Sequence, residues 1–288
     1  MGSWVRRVGT SLVVGCVLAT AACSSGNADD AAPSSAPALS GAYLALGDSV
    51  PFGYRGGEDA DTYRDPTSFI GYPQLVGSAL GLDVVNATCP GETTASFSDA
   101  SAQSNGCENS PTSANGYRTA YPLHVAYDSP GQSQLDFALD YLERAPDVSL
   151  VTLQIGANDA FICQATTADR CASEVPALAD SVQKNVDGIL EALRGQGGYT
   201  GKIVVVTYYA LDYSTTDGLA TQLLDTGIAN AAQANGAVVA SGYDAFQPTA
   251  AKSGGDSIAA GLVRRNDVHP TPQGQQLLAD AVTAAVKG

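Results

Sequence analysis

Short apolar runs alternate with longer segments of helical period along most of this chain, and that alternation restricts the fold more than any other feature. Tyr43-Leu44-Ala45-Leu46 is an apolar run ending in Gly47-Asp48-Ser49, the pattern of a buried strand that meets a turn. Phe69 to Leu80 predicts a helix, and Asp83-Val84-Val85 a second strand. Leu135, Leu139 and Leu142 share one helix face, and Pro146 ends that helix. Leu150 to Ile155 predicts a third strand, after which Val175, Leu178, Val182, Val186, Ile189 and Leu193 keep helical spacing. Ile203 to Thr207 is β-branched throughout and predicts a fourth strand. A helix over 217–234 and the strand Val238-Val239 follow. Thr271-Pro272 then supplies an N-cap and a first-turn proline for a last helix, with Leu278, Val282 and Val286 on one face. Strands alternating with helices imply a mostly parallel sheet covered on both faces, a three-layer α/β/α domain over residues 41–288. The stretch 98–132 is rich in Ser, Asn, Gly and Pro, lacks periodicity, and reads as a lid or insert.

A different logic governs the N-terminal segment. Arg6 and Arg7 precede an apolar run from Val8 to Ala22, too short for a comfortable bilayer span but suited to a secretory signal. It ends in Thr20-Ala21-Ala22-Cys23, small residues before a cysteine that resemble the bacterial lipoprotein cleavage site. Residues 1–22 are therefore read as a signal peptide, Cys23 as the lipidation site, and 23–40 as a flexible tether whose composition buries no core. The competing reading is an ordinary signal cleaved near Ala22, with Cys23 left as a free thiol. The paired arginines leave general and twin-arginine export both open. The expected location is the outer face of a bacterial cell membrane, or the surrounding medium.

Composition narrows the partners. Asp and Glu number 29 against 14 Lys and Arg, a formal charge of −15. A field of that sign repels phosphate backbones, so no nucleic-acid partner is expected. Four cysteines lie beyond the signal region, Cys89, Cys107, Cys163 and Cys171, and they allow three pairings. The sequence-local one, Cys89–Cys107 with Cys163–Cys171, is expected, each bridge contributing about 2–4 kcal/mol by restricting the unfolded chain. A zinc site is the rival, but no histidine lies near these cysteines in sequence, and four reduced thiolates suit an exported protein poorly. No metal and no cofactor are expected.

The chain has only two histidines, which shortens the search for a general base. His269 sits in Asn266-Asp267-Val268-His269-Pro270 before the last helix, and His124 lies in the irregular stretch as a loop or pocket residue. Sites in open α/β sheets form at the carboxyl ends of strands. Ser49 follows the first strand, Gly91 the second, and Asn158 the third within Gly156-Ala157-Asn158-Asp159. Taken singly, Ser49 could cap a helix, Gly91 serve a turn and Asn158 close an Asx-turn.

Taken together, Gly47-Asp48-Ser49, Gly91, Gly156-Ala157-Asn158-Asp159 and His269-Pro270 resemble, in order, the four blocks of the SGNH (GDSL) hydrolase superfamily. Gln134-Leu135 matches a pair often found between the second and third blocks. The resemblance implies a flavodoxin-like α/β/α sandwich and a cofactor-free serine esterase or lipase. Ser49 would be the nucleophile and His269 the base. The amides of Ser49 and Gly91, with the Asn158 side chain, would form the oxyanion hole. A small-molecule, lipid or carbohydrate ester is the implied substrate, and a monomer is expected. A carbohydrate acetyl esterase and a non-catalytic binding lipoprotein on the same fold are the alternatives. Asp48 and Asp159 read as turn residues. Tyr208, Tyr209 and Tyr213 read as an acyl pocket or as packing, and Glu58-Asp59-Ala60-Asp61 as a solvated loop.

One position departs from the family pattern, which has Asp three residues before the histidine. Here Asn266 stands there, and the nearest carboxylate is Asp267. Both are candidates to orient His269. The expectation is a Ser49–His269 dyad in which the Asn266 oxygen, or a backbone carbonyl of residues 264–267, accepts the Nδ1 proton while Asp267 points to solvent. A separate expectation concerns anchoring: the protein should partition with membranes and incorporate radioactive palmitate, and Cys23→Ala should release it. Recovery of the wild-type protein wholly in the medium would refute acylation.

Overall fold

The computed structural model describes residues 39–288; the signal segment, Cys16, Cys23 and all but the last residues of the tether lie outside the described residues. The chain runs β1 (Ala42–Gly47), α1 (Ser49–Phe52), α2 (Ala60–Arg64), α3 (Tyr72–Leu80), β2 (Asp83–Asn86), α4 (Thr94–Ser98), α5 (Tyr117–Ala120) and α6 (Gln134–Arg144). It continues through β3 (Val148–Gln154), α7 (Ala157–Thr166), α8 (Val175–Gly195), β4 (Lys202–Val206), α9 (Thr216–Ala234), β5 (Val238–Ala240), α10 (Gly242–Ala250) and α11 (Pro272–Lys287). All strand pairings are parallel, in the order β2-β1-β3-β4-β5. Every residue of β1 is buried, as a strand enclosed on both faces requires. Helices α3 and α11 pack together on one face, and α6, α8 and α9 cover the other.

From β1 the chain crosses to β2 on one side and then returns past β1 to β3 on the other. That reversal opens a crevice at the carboxyl ends of β1 and β3, the topological switch point where such sheets bind ligands. Gln275 of α11 braces it, accepting from the Tyr72 amide at 2.8 Å and donating to the Val50 carbonyl at 3.0 Å.

The predicted elements are present, with shifted ends. The helix expected from Phe69 begins at Tyr72, because Gly71 is its cap and Phe69 closes the preceding 3-10 turn. Helix α7 lies outside the predicted elements for a physical reason. Only Asn158 is buried along it, so it has no apolar stripe to read. Helix α10 is masked in the sequence by Pro248 inside it. The aperiodic stretch 98–132 is held by scattered aromatic contacts, Tyr117 and His124 on Phe52 and Tyr127 on Phe137, and by polar ones. Arg118 pairs with Glu108 at 2.9 Å, donates to the carbonyls of Ser129, Pro130 and Gln132, and lies 4.4 Å over the Tyr127 ring. The cysteines pair as Cys89–Cys107 and Cys163–Cys171. The first bridge ties this stretch to the loop that follows β2.

Gly47 ends β1 with φ 134°, and a Cβ there would collide with the Gln154 carbonyl oxygen of β3. The Gln134 side chain grips this residue on both sides, accepting from its amide at 2.5 Å and donating to its carbonyl at 3.0 Å. An L side chain has neither the conformation nor the space. Gly47→Ala should therefore cost about 3 kcal/mol or more and lower Tm by roughly 6–12 °C in a thermal melt. An unchanged Tm would show that the strand end can relax.

Candidate active site

The first site residue is placed by a buried carboxylate. Asp48, 1% exposed, caps α1 by accepting from the Val50 amide at 2.9 Å. Ser49 is thereby the first residue of α1, directly beyond the end of β1. Its Oγ lies 2.9 Å from His269 Nε2.

His269 arrives from a tight loop. Val263 and Pro270 form a bridge, and the Arg264 amide donates to the His269 carbonyl at 3.0 Å. Asn266 turns the chain with φ 60°, a left-handed conformation that Asn tolerates better than most residues. Its exposed side chain has no part in orienting the ring.

The expectation that Asp267 points to solvent is wrong. Asp267 Oδ1 lies 2.5 Å from His269 Nδ1 and also accepts from the Val268 amide at 2.8 Å. Its Oδ2 accepts from the Gly56 amide at 2.9 Å. The left-handed turn at Asn266 folds the carboxylate back over its own following amides, as an Asx-turn does, and so brings a side chain two residues away against the ring. Burial opposes the charge on Asp267, but the hydrogen bond and charge of His269 and the amides of Gly56 and Val268 hold its carboxyl well below the usual range. With an ionised carboxylate at Nδ1 and a hydroxyl at Nε2, the neutral ring carries its proton on Nδ1. Ser49, His269 and Asp267 thus form one hydrogen-bonded line.

The loops after β2 and β3 meet beside it. Gly91 has φ 87°, and a Cβ there would fall 2.6 Å from the Asn105 carbonyl. Asn105 joins the loops: its amide donates to the Gly91 carbonyl at 2.8 Å and its Nδ2 to Asn158 Oδ1 at 2.9 Å. That leaves Asn158 Nδ2 as a donor, 3.0 Å from the Glu92 carbonyl. Among the described residues, the amides of Ser49 and Gly91 donate to no protein acceptor. Asp159 accepts from the Thr94 amide at 2.9 Å and from the Thr94 hydroxyl at 2.6 Å, fastening α7 to α4. Burial, with the charge of Glu108 added, pushes the Glu92 carboxyl well above its usual range while Gln134 donates to it at 3.0 Å.

The remaining candidates sort themselves by contact. His124 bonds the Phe52 carbonyl at 3.0 Å and packs on the Phe52 ring, and burial holds its imidazole below the usual value. Tyr208 and Tyr209 are buried supports, with Tyr209 donating to the Val268 carbonyl at 2.7 Å. Asp59 caps α2 through the Thr62 amide, and Glu58 pairs with Arg55 and Arg264. The groupings Cys89–Glu92–Cys107 and Cys163–Cys171–Glu174 each contain two cysteines bonded to one another, which leaves no thiolate to ligate a metal. Sequence reasoning missed Asn105, Glu92 and the grip of Gln134 on Gly47. Asn105 lies in the aperiodic stretch, where no pattern marks it.

Solved structures share this fold. Phospholipase A1 from Streptomyces albidoflavus NA297 is similar at 20% identity and a TM-score of 0.54, over 88% of this chain and 100% of that one. The lipase Lip_vut3 from a goat rumen metagenome is similar at 16% identity and TM-score 0.55, over 87% and 98%. Axe2, an acetylxylan esterase from Geobacillus stearothermophilus, is similar at 14% identity and TM-score 0.55, over 85% and 94%. Among curated proteins, none matches this chain. Residues 45–277, which hold every element of the site, match the GDSL-like lipase/acylhydrolase family, and the chain belongs to that family.

Proposed function

We propose that this chain hydrolyses carboxylic esters by transferring the acyl group to Ser49 and then to water. Membership of the family supports acyl-ester hydrolysis. The observation that carries the serine mechanism is the line Ser49 Oγ, His269, Asp267, at 2.9 and 2.5 Å. His269 Nε2 takes the hydroxyl proton as Oγ attacks the carbonyl carbon, and Asp267 stabilises the imidazolium that forms. The oxyanion faces the amides of Ser49 and Gly91 and the Asn158 Nδ2, neutral donors held in place before charge develops. His269 then returns the proton to the leaving alkoxide. A water, deprotonated by the same nitrogen, releases the acid. Asp267 at Nδ1 supplies the orienting acid that Asn266, three residues before His269, does not. Export to an oxidising compartment and anchoring through Cys23 belong to the same reading, and the two cysteine pairs support the first.

A series of p-nitrophenyl esters from acetate to palmitate tests the reaction and separates an acetyl esterase from a lipase by chain-length preference. Silence across the series would return the chain to the binder reading. Ser49→Ala should abolish turnover with the fold intact, and a serine-reactive phosphonate should label Ser49 alone. Asp267→Asn should lower kcat at least about a thousandfold, a barrier rise of ~4 kcal/mol, with Tm little changed. The corresponding change in the serine-protease triad holds the wrong tautomer and costs about 10⁴ in turnover. A loss under tenfold would restore the dyad.

A further inference from the structure

Immediately before Ser49 lies a carboxylate that the mechanism above leaves without a task. Asp48 is buried, and both its oxygens are engaged. Oδ1 accepts from the Val50 amide at 2.9 Å, and Oδ2 accepts from the Tyr208 phenol at 2.5 Å. Tyr208 reaches it from beyond β4, two strands away, with the peptide group that precedes it held at both its amide and its carbonyl. Its amide donates to Asp225 of α9 at 2.9 Å, and the preceding Thr207 carbonyl accepts from Gln154 at 3.1 Å. Helix α1 is a single turn, too short to hold its own geometry, so its direction rests on its cap.

We propose that Tyr208 is a positioning residue of this hydrolase: its phenol holds the Asp48 carboxylate in the rotamer that caps α1, and so sets Ser49 Oγ before His269. The proposal rests on the reading of Ser49 as nucleophile. A tyrosine that merely filled the core would be replaced by phenylalanine at the cost of one hydrogen bond, with no effect on the reaction.

The carboxylate also bears on the base. The titratable groups facing Asp48 are Tyr208 and Tyr209 after β4, Tyr72 at the start of α3, His269 before α11 and Asp159 of α7. Burial raises the Asp48 carboxyl to about 6, and the Tyr208 phenol, the Val50 amide and the charge of His269 hold it from rising further. Losing the phenol therefore moves Asp48 protonation to higher pH. A protonated Asp48 is a weaker cap and no longer offers His269 a negative charge as the imidazolium forms.

Tyr208→Phe is expected to lower kcat about tenfold or more at pH 7 while KM stays within about twofold. The acid limb of the kcat profile should move up by at least about half a pH unit. The rate at which a fluorophosphonate labels Ser49 should fall with kcat. Asp48→Asn keeps a cap oxygen but no charge, so it should abolish the pH shift, and adding Tyr208→Phe to it should change kcat less than about twofold. A wild-type kcat and pH profile in Tyr208→Phe would overturn the proposal. So would a full tenfold loss from Tyr208→Phe in the Asp48→Asn background. If Tyr208→Phe fails to fold, an unaltered acid limb in Asp48→Asn alone overturns it. Turnover that survives Ser49→Ala would remove the nucleophile reading itself, whereas turnover lost there and untouched in Tyr208→Phe removes only the proposal.

Discussion

The geometry of the site depends on how the chain leaves β1. A strand at the centre of a parallel sheet normally runs out into a loop that wanders over the surface. Here Gly47 adopts a positive φ against the Gln154 carbonyl of the neighbouring strand, and Gln134 grips its amide and carbonyl from helix α6. The turn is thus defined by three elements before Asp48 is reached. Asp48 then caps a single helical turn with Ser49 at its head. Because the turn sits at the reversal of strand order, the loops after β2 and β3 converge on the same crevice.

Around that turn the protein buries an unusual amount of acid. Asp48, Glu92, Asp159 and Asp225 are all withdrawn from water, and burial raises the carboxyl of each. Isolated buried carboxylates are costly, and each of these accepts from at least one nearby donor, with Asp225 Oδ2 alone among their oxygens left unpartnered. Tyr208 and Val50 serve Asp48, Gln134 and Ser96 serve Glu92, Thr94 serves Asp159, and the Tyr208 amide serves Asp225. In a low dielectric such bonds are directional and stiff, so the polar network orients loops that an apolar core could not orient. Asp267 is the opposite case. It is only partly buried, touches the imidazole, and stays ionised.

The loop 264–269 shows how a one-residue difference is absorbed. With the acid two positions before His269 instead of three, an extended backbone would put both side chains on one face but roughly 6.6 Å apart along the chain, too far for a hydrogen bond. The left-handed Asn266 and the return bond from the Arg264 amide to the His269 carbonyl close the loop enough for Asp267 Oδ1 to meet both the Val268 amide and the ring. Gly56 and Tyr209 then hold the carboxylate and the loop from outside, residues distant in sequence from the loop they support.

Local pattern was enough to establish the parallel three-layer architecture, because enclosed strands must be apolar throughout and their covering helices must carry an apolar stripe. It was also enough to show that Ser49, Gly91 and Asn158 follow strands and that His269 precedes the last helix, whereas the cysteine pairing was one of three the sequence allowed, and the structure has the local one. Helix α7 escaped because it buries only Asn158 and so leaves no stripe. Which group faces Nδ1 of His269 was settled only in three dimensions, since it depends on a left-handed turn whose cost is offset by contacts with Gly56 and Tyr209. The same holds for the parts of Asn105, Glu92 and Tyr208, whose partners lie on other loops and strands. Hydrogen bonds between side chains far apart in sequence have no period, and only folding brings their donors and acceptors within reach.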